Sequence, residues 1–516
     1  MSGLAVVGAV ALAGAAVAQL VRWLRVLQRE HYVALSASRF LARWTTPAVA
    51  RAGARRPERR PVTLSHALLV ALIITLIASS ALGVVIVSAL YGLTCPVGLG
   101  LRGRTGRLRW TRRAATTAGV TGALALVVVV VAVVAHAWWL GAVIVIWSMP
   151  LLVDLAARLL RPLEDRRARV FVERARARLA AVQPRIVAIT GSYGKTSTKQ
   201  HLAHLLGDAV ATPASYNNRA GLSRAINESL AEGTRVFIAE MGTYGPGEIR
   251  DLCSWCPPEV AVVTAIGPVH LERMGSLATI EAAKHEITER AATVVVNGDD
   301  ERLRGWVEPL RAGGTRVLVG GSTSAPCDVR VRVVGGQWEV EGPDGVPVTV
   351  AAVPGLQPTN LACALAAGLA LDRGWADLTS RLASMPAVAS RANVVTASSG
   401  VTVIDDTFNA NPASARTALD LLAASGTTGR RVLVTPGMVE LGRLQYGENL
   451  ALGRRAAFLG VELIAVGRTN AAALVAGYGT AARRVDRRDQ AVAWVRSSIG
   501  DGDAVLYLND LPDHYP

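Results

Sequence analysis

The chain has 516 residues, 51% of them hydrophobic and 5% aromatic, with a formal net charge of +16. Its length suits about three domains, and its apolar excess lies in the first third. The charge does not indicate nucleic acid, because the arginines cluster between hydrophobic spans and little aromatic material is available for base stacking; a membrane surface fits better.

Three apolar blocks open the chain: Gly3 to Leu20, His66 to Leu93, and Ala114 to Leu160. A bilayer crossing takes about 20 residues, so the third block is long enough for two helices, with Trp138 and Trp139 at an interface. Residues 1–165 therefore read as a membrane region of three or four spans. Basic residues follow the first apolar run rather than precede it, which favours an uncleaved anchor over a signal peptide. Residues 21–65 carry ten arginines and 102–113 six more. The positive-inside rule places both stretches in the cytoplasm. That conflicts with a single crossing by the second block, so either this block is re-entrant or one stretch breaks the rule. The arginine-rich segment after 160 and the nucleotide site argued below predict a multi-pass plasma-membrane protein with its catalytic part in the cytoplasm.

Arg185 to Leu206 reads RIVAITGSYGKTSTKQHLAHLL. An apolar strand, a glycine turn and a helix start form a phosphate site, because backbone N–H groups and the helix dipole favour an anion there. Gly191, Ser192, Tyr193 and Gly194 form the loop, a short GxxGKT variant. Lys195 reaches the outer phosphates of ATP, and the Thr196 hydroxyl, followed by Ser197, can ligate Mg²⁺. Lysine usage supports this reading. Only Lys195, Lys199 and Lys284 occur among 55 basic residues, and a lysine amine, unlike a guanidinium, can be deprotonated.

Strands then alternate with helical stretches, the pattern of an α/β fold with mostly parallel sheets. Strands are predicted at 186–189, 236–239, 260–264, 294–296, 329–334 and 346–353, with a helix at 359–373. A second unit follows, with strands at 401–405, 431–435, 461–466 and 503–508. The expected domains are 183–388, holding the phosphate loop, and a Rossmann-like 389–516. Polar residues at strand ends are candidate ligands: Glu240 as a metal carboxylate, His270 as a metal or phosphate-side ligand. Lys284 lies in a helical EAAK context. Cys253 and Cys256 form one CxxC with no second pair to complete a zinc site, and all five cysteines read as ordinary reduced thiols.

TGSYGKTSTK at 190–199, SYNNRAG at 215–221, FIAEMG at 237–242, VHLERMGSLATIEAAKHEI at 269–287, IDDTFNANPAS at 404–414 and GMVELG at 437–442 form an ordered set. Together they resemble the Mur ligases, ATP-dependent amide ligases of cell-wall peptide synthesis, and within that family the MurF branch. The resemblance covers roughly 185 to 508. It implies ATP and two Mg²⁺ ions, with Gly191, Gly194, Lys195 and Thr196 on the phosphates, and Glu240 and His270 at the metal sites. Lys284 would be the family's carbamylated lysine, its CO₂-derived anion binding the second ion. Asn218 would lie near the γ-phosphate and substrate, and Arg391, Asp405, Asn409 and Asn411 would close over the nucleotide. The family's adenine-side pattern is represented only by Asn360 in GLQPTNL. The final lysine-bearing strand motif is replaced by GDAVLYLND at 502–510.

The implied reaction joins a carboxylate to an amine through an acyl phosphate. The partners are a carboxylate-bearing envelope precursor or polymer, an amine or amino-acid acceptor, and the membrane. Two alternatives stand beside it: a MurF paralogue ligating a dipeptide to UDP-MurNAc-peptide, and a membrane protein whose ATP domain is only regulatory. Lys284, Glu240 and His270 disfavour the last, because ATP sensing needs no second metal site.

Overall fold

The computed structural model describes residues 3–45, 64–78, 80–96, 99–101, 107–353, 356–386, 393–407, 410–511 and 515. Six helices open the described chain: α1 (Gly3–Arg29), α2 (Ser36–Thr45), α3 (Leu64–Ile77), α4 (Ala81–Thr94), α5 (Arg112–Val134) and α6 (Trp138–Val182). Three stretches, Val6–Arg29, Arg112–Val134 and Trp138–Val182, are long and apolar enough to cross a membrane.

The second apolar block does not form a single span. It breaks before Ser80, whose side chain accepts from Gly83 N and starts α4. Each arm of the resulting hairpin has 14 residues, or about 21 Å of helix, short of the roughly 30 Å hydrocarbon core. Gly8 of α1 lies beside Val85, and Gly92 lies beside Ala15, so α4 runs parallel to α1. The hairpin therefore enters and leaves at one end of the bundle. One residue from each arginine-rich stretch meets the other at that end: Gln28 Oε1 accepts from Arg109 N at 2.9 Å, and Gln28 Nε2 donates to Arg109 O at 2.7 Å. A helical hairpin of this kind is the shape that the re-entrant alternative calls for.

Helix α1 continues nine residues beyond the expected apolar run because its polar side chains find acceptors. Gln19 Nε2 donates to Cys95 O at 2.7 Å, Arg22 Nη1 to Gly92 O at 2.5 Å, and Arg25 Nη2 to Gly100 O at 2.7 Å. The last carbonyls of α4 lack intrahelical partners and carry the negative end of its dipole, so cations are favourable there.

Helix α6 spans 45 residues, about 68 Å. It runs through 165 and ends at Val182, with Gln183 as its cap and β1 starting at Arg185, so no linker separates the apolar bundle from the sheet that follows. Its far end buries Val172, Ala175 and Leu179 against Leu222 and Ile226 in the core beneath that sheet.

Nine strands form the first sheet: β1 (Arg185–Thr190), β2 (Ala209–Ala211), β3 (Val236–Glu240), β4 (Val260–Val263), β5 (Thr293–Asn297), β6 (Arg316–Gly321), β7 (Val329–Val334), β8 (Gln337–Glu341) and β9 (Val348–Ala351). Their order is β2-β3-β1-β4-β5-β6-β7-β8-β9. All neighbours are parallel until β7, β8 and β9, which form an antiparallel meander. β3 and β4 flank β1 on opposite sides, so the connections diverge there and open a crevice at the strands' carboxyl ends. The strands are apolar on both faces because helices cover both.

The second sheet has β10 (Asn393–Thr396), β11 (Thr402–Asp406), β12 (Arg431–Thr435), β13 (Glu462–Val466), β14 (Arg483–Val485) and β15 (Ala504–Leu508), in the order β10-β11-β15-β12-β13-β14. Only β10 is antiparallel to its neighbour. β2, β10 and β14 went unpredicted: each has three or four residues, too few for a period to show.

Candidate active site

The crevice beside β1 holds the phosphate loop. Gly191 has φ 152° and Gly194 φ 79°. A Cβ at Gly191 would lie 2.0 Å from Thr264 Oγ1, and one at Gly194 2.3 Å from Asn360 Oδ1. Both positions therefore require glycine on conformation and on space. α7 (Lys195–Leu206) starts directly after Gly194, so its first N–H groups, which have no intrahelical acceptor, point into the loop. Ser192 ties the loop to the turn after β4, donating to Gly267 O at 3.0 Å and accepting from Gly267 N at 2.9 Å. Burial pushes the Tyr193 phenol above its ordinary range. Lys195 Nζ donates to Gly191 O at 2.7 Å, across the loop it belongs to. Ser197 stands in the first turn of α7. Asn360, near the start of helix Pro358–Ala370, packs against Gly194 and not at a distance from the loop.

Glu240 ends β3 and is 1% exposed. Its carboxylate accepts from Thr196 Oγ1 at 3.0 Å, Lys199 Nζ at 3.0 Å and Asn217 Nδ2 at 3.1 Å. Thr196 and Lys199 are three apart on α7, hence on one face. The structure thus adds two residues to those expected from sequence. Lys199 was marked by its rarity. Asn217 carried no signal of its own beside Asn218. Asn218 itself caps α8 (Arg219–Ser229), accepting from Gly221 N at 2.9 Å. The paired carboxylate and hydroxyl of Glu240 and Thr196 are hard oxygen donors of the kind Mg²⁺ takes. Among the described residues, no three His, Cys, Asp or Glu side chains converge on a common point.

α9 (Glu248–Trp255), the single turn α10 (Leu271–Met274) and α11 (Leu277–His285) complete the wall. Lys284 is buried on α11 and has no hydrogen-bond or ion-pair partner among the described residues. Desolvation first, and then the nearby charge of Lys195, pushes its amine well below the ordinary 10.5. His270, just before α10, hydrogen-bonds the carboxylate of Glu440 from the second unit through its Nδ1. Glu440 O also accepts from Glu272 N at 3.1 Å. Segment 437–442 is held in turn by Asn449, which accepts from Met438 N at 2.8 Å and donates to Met438 O at 2.9 Å. Asp405 ends on β11, exposed, accepting from Thr407 N at 3.1 Å. Asn411 caps helix Pro412–Ala423 through Ala413 N and Ser414 N. Arg391 and Asn409 lie outside the described residues.

The comparisons with known proteins agree with this geometry. Residues 189–341 match the Mur ligase middle domain and 390–508 the Mur ligase glutamate ligase domain. The UDP-N-acetylmuramoyl-tripeptide–D-alanyl-D-alanine ligase of Mycobacterium leprae is 31% identical over 372 residues, covering 64% of this chain and 72% of that protein. The chain is a member of the Mur ligase family. The Escherichia coli ligase of the same name is 30% identical over 359 residues, covering 66% and 76%. The structure of MurF ligase from Thermotoga maritima in complex with ADP superposes with TM-score 0.57 at 27% identity, covering 66% and 80%. MurF from Acinetobacter baumannii shares the fold, with TM-score 0.58 at 24% identity, covering 66% and 77%. This Mur ligase is an ATP-dependent amide ligase, and its two α/β units follow a set of long apolar helices.

Proposed function

We propose that this ligase works at the cytoplasmic face of the plasma membrane, joining an amine to a carboxylate carried on a membrane-linked envelope precursor. The observation that supports the membrane part is α6, one helix that both belongs to the apolar bundle and packs under the first sheet. A continuous helix fixes the site at the arginine-rich end of the bundle, where a flexible linker would leave it free to range. Such a placement suits a substrate held at the bilayer surface.

In the reaction, a substrate carboxylate oxygen attacks the γ-phosphorus, the bond to the β-phosphate oxygen breaks, and ADP leaves. The amine nitrogen then attacks the acyl carbon, the C–O bond to phosphate breaks, and the amine's proton departs with phosphate or solvent. The N–H groups of the loop and the Lys195 ammonium hold the phosphate oxygens as charge moves. Thr196 and Glu240 would hold Mg²⁺, which when bound neutralises phosphate charge. Lys199 and Asn217 orient Glu240. Burial lowers the pKa of Lys284, which favours the neutral amine, the form that takes up CO₂ as a carbamate, a conversion no arginine can make. The 437–442 segment, seated on residues 270–274, excludes water from the acyl phosphate.

A second reading is favoured by the relatives' printed activity: a UDP-MurNAc-tripeptide and D-alanyl-D-alanine as substrates. The test uses the full-length protein in nanodiscs and measures ATP-dependent phosphate release. Extracted lipid-linked precursors are compared with UDP-MurNAc-tripeptide plus D-Ala-D-Ala, with Lys195→Ala as the blank. Lipid-linked substrate should be preferred at least about tenfold in kcat/KM, a difference of about 1.4 kcal/mol. Equal or better use of the UDP-linked substrate establishes the second reading. Phosphate release that survives Lys195→Ala removes that lysine from the chemistry.

A further inference from the structure

The bundle reaches the active site through the residue that follows α1. Helix α1 stops at Arg29, and Glu30 N still bonds Val26 O at 2.9 Å. His31 and Tyr32 then adopt φ 55° and 59°, which turns the chain back on itself. That turn aims Glu30 outward from the bundle and toward the first sheet. Glu30 Oε2 accepts from Arg273 Nη2 at 2.5 Å. The same nitrogen lies 3.4 Å from Glu440 Oε1. The Arg273 guanidinium also lies 4.8 Å from the Tyr244 ring centre, and Tyr244 meets His270 edge-on at 4.7 Å and stacks with His31 at 6.2 Å. His270 closes the circuit on Glu440.

Three parts of the chain therefore share one cluster: Glu30 and His31 from the bundle, Tyr244, His270 and Arg273 from the first α/β unit, and Glu440 from the second. The cluster is largely shielded, with Arg273 11% and Glu30 9% exposed at the side chain, so its ion pairs are weakly screened. His270 and Glu440 both sit in the left-handed region, at φ 58° and 63°. A non-glycine residue held there is strained, and contacts around it must offset the strain. Glu30 stands on a rigid support, since Trp23, Leu24 and Leu27 of the same helix are fully buried.

We propose that Glu30 is a positioning residue for the ligase reaction. Through Arg273 it holds Glu440 against His270, and so holds the 437–442 segment closed over the first unit. The bundle thereby completes the catalytic arrangement in addition to anchoring it. The partner it takes, Arg273, lies beside Glu440 of the closing segment, so Glu30 acts on closure and not on nucleotide binding. The inference rests on family membership and holds for either substrate reading.

The experiment measures steady-state kinetics of the full-length protein in nanodiscs, using whichever substrate pair it turns over, together with binding of a fluorescent ATP analogue. Glu30→Gln should lower kcat about tenfold while the analogue's Kd stays within about twofold. Arg273→Met should show a similar loss. The double variant should be no worse than Arg273→Met alone, because both changes break one chain of contacts. If the two losses multiply instead, Glu30 does not act through Arg273 and the proposal is overturned. A Glu30→Gln enzyme within twofold of wild-type kcat overturns it as well. If Glu30→Gln fails to accumulate, Glu30→Asp keeps the charge but withdraws it by one methylene. It should lose kcat in the wild-type background and nothing further in the Arg273→Met background, and a loss that persists in the latter overturns the proposal.

Discussion

Lys284 is buried on α11 without a counter-charge among the described residues, and desolvation followed by the charge of Lys195 lowers its pKa well below 10.5. The linkage has a definite sign. Between the lowered folded value and the ordinary value near 10.5, the unfolded chain binds a proton that the folded chain does not. Stability therefore rises with pH through that window, and below it Lys284 burdens the fold. Lys284→Met should remove the burden: the variant should melt higher than wild type in CO₂-free buffer at pH 7, lose the rise toward pH 10, and be inactive. Bicarbonate should stabilise the wild type and leave the variant unchanged. A variant that melts below wild type at pH 7 would mean a charged, paired lysine, and the carbamate reading would lose its basis. Legibility at this scale follows the range of the interaction. The phosphate loop could be read because its glycines, Lys195 and Thr196 are contiguous. Lys199 stood out by rarity, yet its bond to Glu240 crosses 41 positions. The choice between Asn217 and Asn218 could not be made from sequence, since either suits a cap or a ligand until the helix register is known. His270 and Glu440 are 170 positions apart, and no local pattern joins them.

Among the elements, the α3–α4 hairpin departs most from a hydropathy reading. His66 to Leu93 is nearly unbroken apolar sequence, and only the serines before α4 mark the break. The turn is decided by geometry: Ser80 caps α4, and Gly83 permits an approach to Thr75 that a Cβ, at 2.7 Å from Thr75 Cγ2, would block. The long helices were legible because length alone separates a span from a core helix. A re-entrant hairpin puts Arg29 and Arg109 on one side of the membrane, in keeping with the Gln28 bonds to Arg109. Single cysteines at these two positions, in a full-length protein with its native cysteines replaced, should both react with an impermeant maleimide from the cytoplasmic side alone. A cysteine at Ala78, near the hairpin tip, should react poorly from either side. Labelling of position 109 from outside would mean that the hairpin crosses and that the arginine stretches are separated.

For the whole molecule, α6 decides where the chain can be divided. A boundary at 183 falls just before the start of β1, but Val172, Ala175 and Leu179 lie ahead of it and complete the core with Leu222 and Ile226. Two hydrogen bonds reinforce the join: Arg178 Nε to Leu230 O at 2.8 Å, and Asn227 Nδ2 to Phe171 O at 3.0 Å. Exposing a buried Val or Leu side chain costs about 1.5–3 kcal/mol each, an upper figure for real unfolded chains. A chain starting at residue 183 should therefore lose several kcal/mol relative to one starting at 161, read as a lower denaturant midpoint at similar slope. The chain starting at 161 keeps that core and should bind an ATP analogue about as well as the full-length protein. It lacks Glu30, however, so its turnover should be as slow as that of full-length Glu30→Gln. Equal midpoints for the two truncations would show that the end of α6 is an accessory to the sheet and not part of its core. Full turnover by the chain starting at 161 would show that the bundle anchors the enzyme and does nothing more.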